Sequence, residues 1–262
     1  MPTLRRTLVD GTTDELIREE PLLIAAGGAE VLTMRTPGDD ENLALGFLLS
    51  EGIVASLAMV EHVAHSPGEL EARKPDRVDV ALRGVDASFV RGRLTRTHEI
   101  RTSCGVCGLT DVDTLLQGAA PCLPGVPRVP RSRLQLLRAD FEGRQTAFER
   151  TGACHGAALY AADGSLLGFG EDVGRHNALD KAIGAAARAG ARFATAIAFL
   201  SGRAGYDLVL KCLRLGVPVV LSVSAPSALG FDLCHAAGST LVGFLRRDRY
   251  RVYTDGGRLA DE

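Results

Sequence analysis

The sequence predicts an α/β protein, and three observations support this fold class. The chain has 262 residues, 46% of them hydrophobic, which is enough to bury the core of one large domain or two smaller ones. Between residues 154 and 245, short apolar runs alternate with segments whose apolar residues recur at helical spacing. Apolar strands that alternate with helices are typical of a mainly parallel sheet covered on both faces.

Residues 1–118 are predicted to form a smaller, mixed α/β domain. Two apolar runs, 21–26 and 29–36, predict strands, and residues 76–82 alternate as a half-buried strand does. Residues 39–54 predict a helix, because three acidic residues precede an apolar segment and negative charge stabilises a helix N-terminus. The order of the strands does not follow from the sequence.

Residues 119–133 are predicted to be a linker, because they contain four prolines at short spacing. Proline lacks a backbone donor and fixes φ, so neither a helix nor an interior strand passes easily through this segment. The alternative is a long surface loop inside a single domain. We therefore place the C-terminal domain at residues 134–262.

The C-terminal domain is predicted to begin with a β-hairpin that turns at Asp163 and Gly164. A helix follows and ends near Gly190, since glycine favours the left-handed conformation found after helices. The remaining elements alternate: strands at 194–200, 217–224 and 239–245, and helices at 206–216 and 227–238. Crossovers between parallel strands of this kind are nearly always right-handed.

Charge and composition argue against several classes of protein. The net charge of −2 does not suit a globally basic nucleic-acid-binding protein. No apolar run reaches the roughly 18 residues that a membrane span needs, and no signal peptide is visible. Six scattered cysteines do not resemble a secreted disulfide framework. We therefore expect a cytoplasmic protein with no membrane or nucleic-acid partner.

Cys104 and Cys107 form a C-x-x-C pair whose chemistry has three interpretations. A closed zinc site needs four ligands, usually two such pairs. The sequence has no second C-x-x-C pair, so the adjacent Cys154 and His155 would have to supply the other two ligands. A thioredoxin-like switch requires a helix that opens at the pair, directly behind a strand. The preceding residues 97–103 are compatible with a strand, but the glycine after each cysteine favours a loop.

Carriage of sulfur suits the cysteine pair best. Thr110 and Asp113 have the spacing of a capping box, which predicts that a helix starts just after the pair. Free N–H groups at that helix start, with Arg101 nearby, favour the thiolate form of cysteine. A thiolate on a glycine-flanked loop is able to receive sulfur from a donor protein and to pass it on.

Polar residues at the carboxyl edge of the predicted sheet are candidates for ligand binding. The segments 201–205 and 222–230 connect strands to helices at the edge where α/β proteins bind ligands. Residues 170–181 contain a dense group of ionisable side chains, which either line a pocket or have structural roles such as helix capping. These side chains are Glu171, Asp172, Arg175 and His176.

The segment 244–251 contains four arginines. On an extended chain, Arg247, Arg249 and Arg251 project to one side. The segment is therefore either a site for a polyanionic ligand or a solvated edge strand whose charges oppose aggregation.

Taken together, these motifs resemble the formate dehydrogenase accessory sulfurtransferase (FdhD) family. The segments that carry the resemblance are CGVCG, TGACHGAALY, EDVGRHNALDK, SGRAGYDLVLK, VSAPSALG and LVGFLRRDRYRVYT, in this order. The resemblance implies a three-layer, cytidine-deaminase-like C-terminal domain without the deaminase zinc site. It also implies a homodimer.

The resemblance further implies a sulfurtransferase. Such a protein accepts sulfur from a cysteine desulfurase as a persulfide and transfers it to the molybdenum cofactor, Mo-bis(molybdopterin guanine dinucleotide), which activates the formate dehydrogenase catalytic subunit. Cys104 is implied to carry the persulfide, with Cys107 as the second member of the pair. No structural metal is expected. The implied cofactor-binding residues are Phe244, Leu245, Arg246, Arg247, Asp248 and Arg249.

Two other functions are compatible with the residues. A non-catalytic carrier or chaperone would hold the molybdenum cofactor for insertion, with the cysteines regulating release. A zinc-dependent nucleotide hydrolase would instead use the cysteines as metal ligands.

Overall fold

A computed structural model describes residues 2–69, 74–102 and 112–261, with residues 95–102 described as backbone only. Within these ranges the chain is a mixed α/β protein with a six-stranded sheet, a four-stranded sheet and two two-stranded sheets. None of the described helices combines the length and the apolar character needed to cross a membrane.

The N-terminal part is built around the four-stranded sheet. Its elements are β1 (Thr3–Thr7), β2 (Thr13–Ile17), β3 (Glu20–Ala26), β4 (Ala29–Arg35), α1 (Asp40–Ser50), β5 (Val60–Ser66), β6 (Asp76–Leu82), α2 (Ala87–Thr102) and α3 (Val112–Leu115). The strand order is β4-β3-β6-β5, with β3 parallel to β6. Strands β3, β4 and β6 and helix α1 confirm the predictions. Strands β1, β2 and β5 escaped prediction because they are polar and largely exposed.

The residues that precede the cysteine pair form a helix, so the interpretation of 97–103 as a strand is wrong for its described part. These residues belong to α2, which ends at Thr102. The carboxylate of Asp86 accepts hydrogen bonds from the N–H groups of Ser88 at 2.8 Å and Phe89 at 3.0 Å. Because these bonds satisfy free donors at the helix start, they stabilise α2 where helix formation is least favourable.

The C-terminal part contains the six-stranded sheet. Its elements are β7 (Val129–Pro130), α4 (Arg131–Arg144), α5 (Thr146–Thr151), β8 (His155–Tyr160), β9 (Leu166–Asp172), α6 (Arg175–Arg188), β10 (Ile197–Leu200), α7 (Tyr206–Arg214), β11 (Val219–Ser222), α8 (Ala228–Ala236), β12 (Thr240–Gly243), β13 (Arg251–Thr254) and β14 (Leu259–Ala260). The predicted hairpin, the helix that follows it and the alternating series are confirmed.

The large sheet is mixed, which corrects the prediction of a mainly parallel sheet. Its order is β13-β12-β11-β10-β8-β9, and β10, β11 and β12 are parallel. Strands β8, β9 and β13 pair antiparallel with their neighbours. The tight hairpin makes β8 and β9 antiparallel, whereas parallel pairing requires a crossover connection.

Helices cover both faces of the large sheet. Ala198 and Leu200 of β10 pack in the same cluster as buried residues of α6, α7 and α8. The alternate residues, Ile197 and Phe199, pack in a second cluster with α4, where the Phe199 and Phe141 rings stack at 4.4 Å. Because successive side chains of a strand point to opposite faces, this strand must be apolar throughout.

The proline-rich segment packs against the C-terminal part. Val129 is fully buried, and β7 pairs with β14. The buried guanidinium of Arg258 donates to the carbonyl oxygens of Leu123 at 2.7 Å and Val126 at 2.8 Å. Helix α4 begins at Arg131, within the predicted linker, while the domain boundaries themselves stay a prediction.

Helices α1 and α6 bring the two parts of the chain into close contact. A Cβ atom placed on Gly46 of α1 would lie 1.8 Å from the carbonyl oxygen of Asp180. A Cβ atom on Gly184 of α6 would lie 2.0 Å from the carbonyl oxygen of Asn42. Both glycines are therefore required by the approach of one backbone to another, not by an unusual φ.

We expect Gly184→Ala to lower the free energy of unfolding by about 1–3 kcal/mol or more, because the methyl group forces α1 and α6 apart. Gly143→Ala in α4 is the matched control, since nothing lies within 4 Å of its added Cβ. The control should be neutral or stabilising by up to about 1 kcal/mol, the usual gain of alanine over glycine in a helix. Urea denaturation measures both, and equal effects would contradict the close contact.

Candidate functional site

The carboxyl ends of three parallel strands meet at one edge of the large sheet. The N–H group of Val223, after β11, donates to the carbonyl oxygen of Leu200 at 3.1 Å. The N–H group of Leu245, after β12, donates to the carbonyl oxygen of Ser222 at 3.0 Å. The segments that follow β10, β11 and β12 therefore lie side by side, as predicted for 201–205 and 222–230.

A cleft of about 670 Å³ opens at this edge. The start of β8, the ends of β9, β10 and β11 and the junction of α4 with α5 form its walls. Among the residues that line it are Gln145, Phe148, Glu149, Cys154, His155, Ser201 and Val223. The α4–α5 residues were not singled out from the sequence, because no motif marks them.

Glu171 attaches one wall of the cleft to the sheet. Its carboxylate accepts hydrogen bonds from the N–H groups of Ala147 at 2.9 Å and Phe148 at 3.0 Å. The thiol of Cys154 donates to the same carboxylate at 3.4 Å. Burial, together with the charge of Glu171, raises the pKa of Cys154 to about 12. Cys154 is therefore a protonated thiol at neutral pH and a poor nucleophile.

His155 lies in the cleft beside Ser201. The Ser201 hydroxyl is 3.4 Å from Nδ1 of His155 and accepts a hydrogen bond from the N–H group of Gly156 at 3.0 Å. Burial lowers the pKa of His155, and the positive charge of Arg175 lowers it further. The imidazole is therefore neutral at physiological pH.

His176 and Arg175, at the start of α6, both bind the carboxylate of Asp207 at the start of α7. Nε2 of His176 and a guanidinium nitrogen of Arg175, at 3.0 Å, contact the same Oδ2 atom. Although burial opposes ionisation, these two partners hold the pKa of Asp207 well below its usual range. This group lies between the N-termini of two helices, close enough to His155 for the charge of Arg175 to affect its imidazole.

Asp172 has a structural role. Of the two interpretations of residues 170–181, pocket lining or a structural role, the second therefore applies to it. It is fully buried and accepts hydrogen bonds from the N–H groups of Thr36 at 3.0 Å and Gly174 at 2.9 Å. The ammonium group of Lys181 lies 2.8 Å from it. Of the four ionisable residues singled out here, Asp172 thus joins α6 to the N-terminal part, while Glu171 builds the cleft wall.

The stretch 244–249 is a turn. The prediction that its arginines project to one side of an extended chain is therefore wrong for Arg247 and Arg249. The N–H group of Arg246 donates to the carbonyl oxygen of Arg249 at 2.9 Å. Phe244 has a φ of 50°, which is unusual for a residue other than glycine. Leu245 is fully buried and anchors the turn, and Asp248 at its tip is exposed.

The arginines of this turn, together with Arg251 of β13, form a group of positive charges. In the described part of the chain, none of Arg246, Arg247, Arg249 and Arg251 forms a salt bridge. The guanidinium groups of Arg246 and Arg251 lie 5.9 and 5.7 Å from the centre of the Phe244 ring. Four positive charges without carboxylate partners suit an anionic ligand, and guanidinium matches phosphate oxygens in geometry.

Helix α4 connects the arginine turn to the cleft. The side-chain amide of Gln135 on α4 donates to the carbonyl oxygen of Arg246 at 2.9 Å. Gln145, directly after the same helix, lines the cleft. Helix α4 therefore contacts the arginine turn near its start and reaches the cleft at its end.

Cys104 and Cys107 lie in residues 103–111, outside the described residues. The chain is described up to Thr102 at the end of α2 and again from Val112 at the start of α3. Helix α3 confirms the predicted helix start after the pair, although Thr110 of the capping box is not among the described residues.

Asp40, His65 and Asp76 are the one group of described side chains whose ligand atoms lie close enough together to hold a metal ion. Arg35, fully buried, already donates to both carboxylate oxygens of Asp40 at 2.8 Å and to Asp76. A cation would compete there with a buried guanidinium, so we interpret the group as structural. Cys154 and His155 do not belong to it.

The fold and the site define an α/β protein with a cleft and an arginine-rich turn at the carboxyl edge of its sheet. The model of the FdhD/NarQ family matches residues 17–260, and this chain belongs to that family. The resemblance described from the motifs is thereby confirmed.

Curated relatives support this membership, and a solved structure shares the fold. The sulfur carrier protein FdhD of Anaeromyxobacter dehalogenans strain 2CP-C is 43% identical over 258 residues, which cover 94% of this chain and 88% of that protein. The protein of the same name from Mycobacterium tuberculosis strain H37Rv is 41% identical over 255 residues, covering 94% and 92%. A crystal structure of a candidate formate dehydrogenase accessory protein from Desulfotalea psychrophila shares the fold, with a TM-score of 0.74, 24% identity and coverage of 98% and 97%.

Proposed function

We propose that this protein is a sulfur carrier in formate dehydrogenase maturation, and that it passes sulfur to the molybdenum cofactor as substrate. Membership of the family and the names of its relatives support the sulfur-carrier role. The single observation that carries the choice of substrate is the arginine turn, whose charges have no carboxylate partners among the described residues. Mo-bis(molybdopterin guanine dinucleotide) supplies the phosphates that such a turn binds.

The spacing of the site suits a nucleotide. The cleft lies at the start of β8 and the ends of β10 and β11, and the arginine turn follows β12, two strands from β10. Neighbouring strands are about 4.8 Å apart, so β12 lies roughly 10 Å from β10. Arg246, Arg247 and Arg249 are proposed to bind phosphates, while the cleft takes the base.

The chemistry of the described cysteines supports the pair Cys104 and Cys107 as the sulfur carriers. Burial raises the pKa of Cys154, Cys212 and Cys234 to about 12, and it also raises that of Cys122. These four thiols are protonated at neutral pH, whereas attack on a persulfide requires a thiolate.

The proposed first step transfers one sulfur atom between proteins. The Cys104 thiolate attacks the outer sulfur of a persulfide on a cysteine desulfurase. A new S–S bond forms on Cys104, the S–S bond of the donor breaks, and the donor cysteine leaves as a thiolate. This is the catalytic, persulfide-based form of sulfur transfer, as distinct from a carrier that only holds the cofactor.

The remaining expectations from the family resemblance also stay proposals. The strand order β9-β8-β10-β11-β12, with helices on both faces, supports a cytidine-deaminase-like C-terminal domain. We propose in addition a homodimer, a cytoplasmic location and the formate dehydrogenase catalytic subunit as the partner that receives the modified cofactor.

Replacement of Arg246, Arg247 and Arg249 together by alanine tests the substrate site, with GDP as the probe. Charge-assisted hydrogen bonds contribute roughly 1.5–3 kcal/mol each, so affinity should fall roughly a thousandfold or more if all three engage. Isothermal titration calorimetry measures the affinity. Arg83→Ala is the control, since Arg83 is exposed and pairs with Glu61 on the N-terminal sheet. If the triple variant is natively folded and binds GDP with unchanged affinity, the turn is a solvated edge and not a phosphate-binding site.

A further inference from the structure

His155 lines the cleft, and its Nδ1 atom lies 3.4 Å from the Ser201 hydroxyl. The Ser201 hydroxyl accepts from the N–H group of Gly156, so its own hydrogen is available, and Nδ1 of His155 is its one acceptor among the described residues. A neutral imidazole whose Nδ1 accepts carries its proton on Nε2. In the described part of the chain, Nε2 of His155 has no partner.

The surroundings keep this donor uncharged. Arg175 and His176 contribute positive charge from α6, and burial disfavours the imidazolium, whereas Asp172 from β9 opposes them. A neutral N–H group distinguishes a ligand by where its acceptor lies, not by its net charge. It is therefore suited to reading the edge of a base, while the arginine turn binds the phosphates.

The other groups in the cleft suit a flat, polar-edged ring. Phe148, Val173 and Val223 provide apolar walls, and the carboxylate of Glu149 forms no ion pair with the described residues. Guanine presents O6 and N7 acceptors on one edge and an N2 amino donor on another, whereas adenine presents an amino donor in place of O6. A donor and a free carboxylate in one cleft therefore match guanine.

We infer that His155 is a specificity-determining residue that donates its Nε2 proton to O6 of a guanine base and disfavours adenine. The inference rests on the proposed function, because it places the base of the cofactor in the cleft. The hydrogen-bond relay from Gly156 through Ser201 favours the tautomer that makes this donation possible.

The test compares GDP with ADP, which share the ribose and the diphosphate and differ in the base. Binding is measured by calorimetry for the wild-type protein and for the variants His155→Gln, His155→Asn and His155→Ala. The glutamine amide reaches the position of Nε2, whereas the asparagine amide reaches only that of Nδ1. We expect a preference for GDP of roughly 10- to 100-fold in the wild type, since a good base contact discriminates by that much.

The preference should persist in His155→Gln and disappear in His155→Asn and His155→Ala, through weaker binding of GDP with ADP affinity unchanged. Native thermal unfolding in the three variants excludes a general loss of structure, and the glutamine variant serves as the folded reference if the alanine variant is unstable. Equal affinity of the wild type for the two nucleotides, or a preference that survives in His155→Ala, overturns the role of His155. Binding of neither nucleotide to the wild type overturns the proposed cofactor site itself.

Discussion

We expect Cys104→Ser to abolish both the persulfide and the activation of formate dehydrogenase. The sulfur must be held on a thiolate, and serine forms no persulfide. After incubation with a cysteine desulfurase and cysteine, intact mass spectrometry should show a gain of about one sulfur atom on the wild type and none on the variant. Formate dehydrogenase activity in cells that depend on the variant should fall to background.

Cys107→Ser and Cys154→Ser are the controls for this experiment. Cys107→Ser should retain part of the mass gain and part of the activation, if Cys107 assists or resolves the persulfide. Cys154→Ser should retain both, because its thiol is protonated and hydrogen-bonded to Glu171. The wild-type protein could form a persulfide while Cys104→Ser still activates formate dehydrogenase normally. That result would favour the alternative function, a non-catalytic carrier with regulatory cysteines.

The proposal that Cys104 carries the persulfide sulfur is opposed by a physical argument that favours Cys107. Cys107 is nearer to α3, which begins at Val112, and a helix N-terminus lowers the pKa of a nearby thiol. The family resemblance indicates Cys104, and the proposal follows it. An inactive Cys107→Ser together with an active Cys104→Ser would reverse the assignment.

Lys211→Met should be the most destabilising of the described substitutions, with a loss of about 3–5 kcal/mol in the free energy of unfolding. Nζ of Lys211 lies 2.9 and 3.0 Å from the carboxylate oxygens of Asp180, and both side chains are almost entirely buried. Removal of the ammonium leaves the buried Asp180 carboxylate with Ser50 as its remaining described partner, at 2.7 Å. It also removes the ion pair of Lys211 with Glu51, at 2.8 Å. Urea denaturation at neutral pH measures the loss.

Two comparisons separate the buried charge from the loss of a side chain. Lys74→Met removes an exposed ion pair with Glu69 and should change stability by less than about 0.5 kcal/mol. The double variant Lys211→Met/Asp180→Asn removes both charges of the buried pair and should be more stable than Lys211→Met alone, because Asp180 is no longer an uncompensated ion and Glu51 keeps Arg214 as a partner at 3.2 Å. A double variant as unstable as the sum of its parts would count against this account.

Asp180, the partner of Lys211, also shows why the roles of the ionisable residues in the motif EDVGRHNALDK do not follow from the sequence. Asp172, Asp180 and Lys181 are all ionisable, yet all three are buried in contacts that join α6 to other elements. Glu171, one residue from Asp172, points instead towards α5 and the cleft wall. Neighbouring residues of a strand face opposite sides, so the two roles depend on what covers each face.

The sequence by itself determined the family, the hairpin at Asp163 and Gly164, the alternating elements behind it and the arginine segment. These features are local, because turn residues, apolar periodicity and clustered charge act over a few neighbouring positions. Strands β1 and β5 could not be predicted from such local features, because they are polar. They form strands through pairing with other strands and not through their own composition.

Only the tertiary structure decided how the site is assembled. Gln145, Phe148 and Glu149 join His155 and Ser201 in one cleft because α4 and α5 lie over the ends of strands that are distant in sequence. The turn at 244–249 depends on the burial of Leu245 and on its hydrogen bond to Ser222. Contacts between residues far apart in the chain are set by packing and topology, and no local pattern in the sequence encodes them.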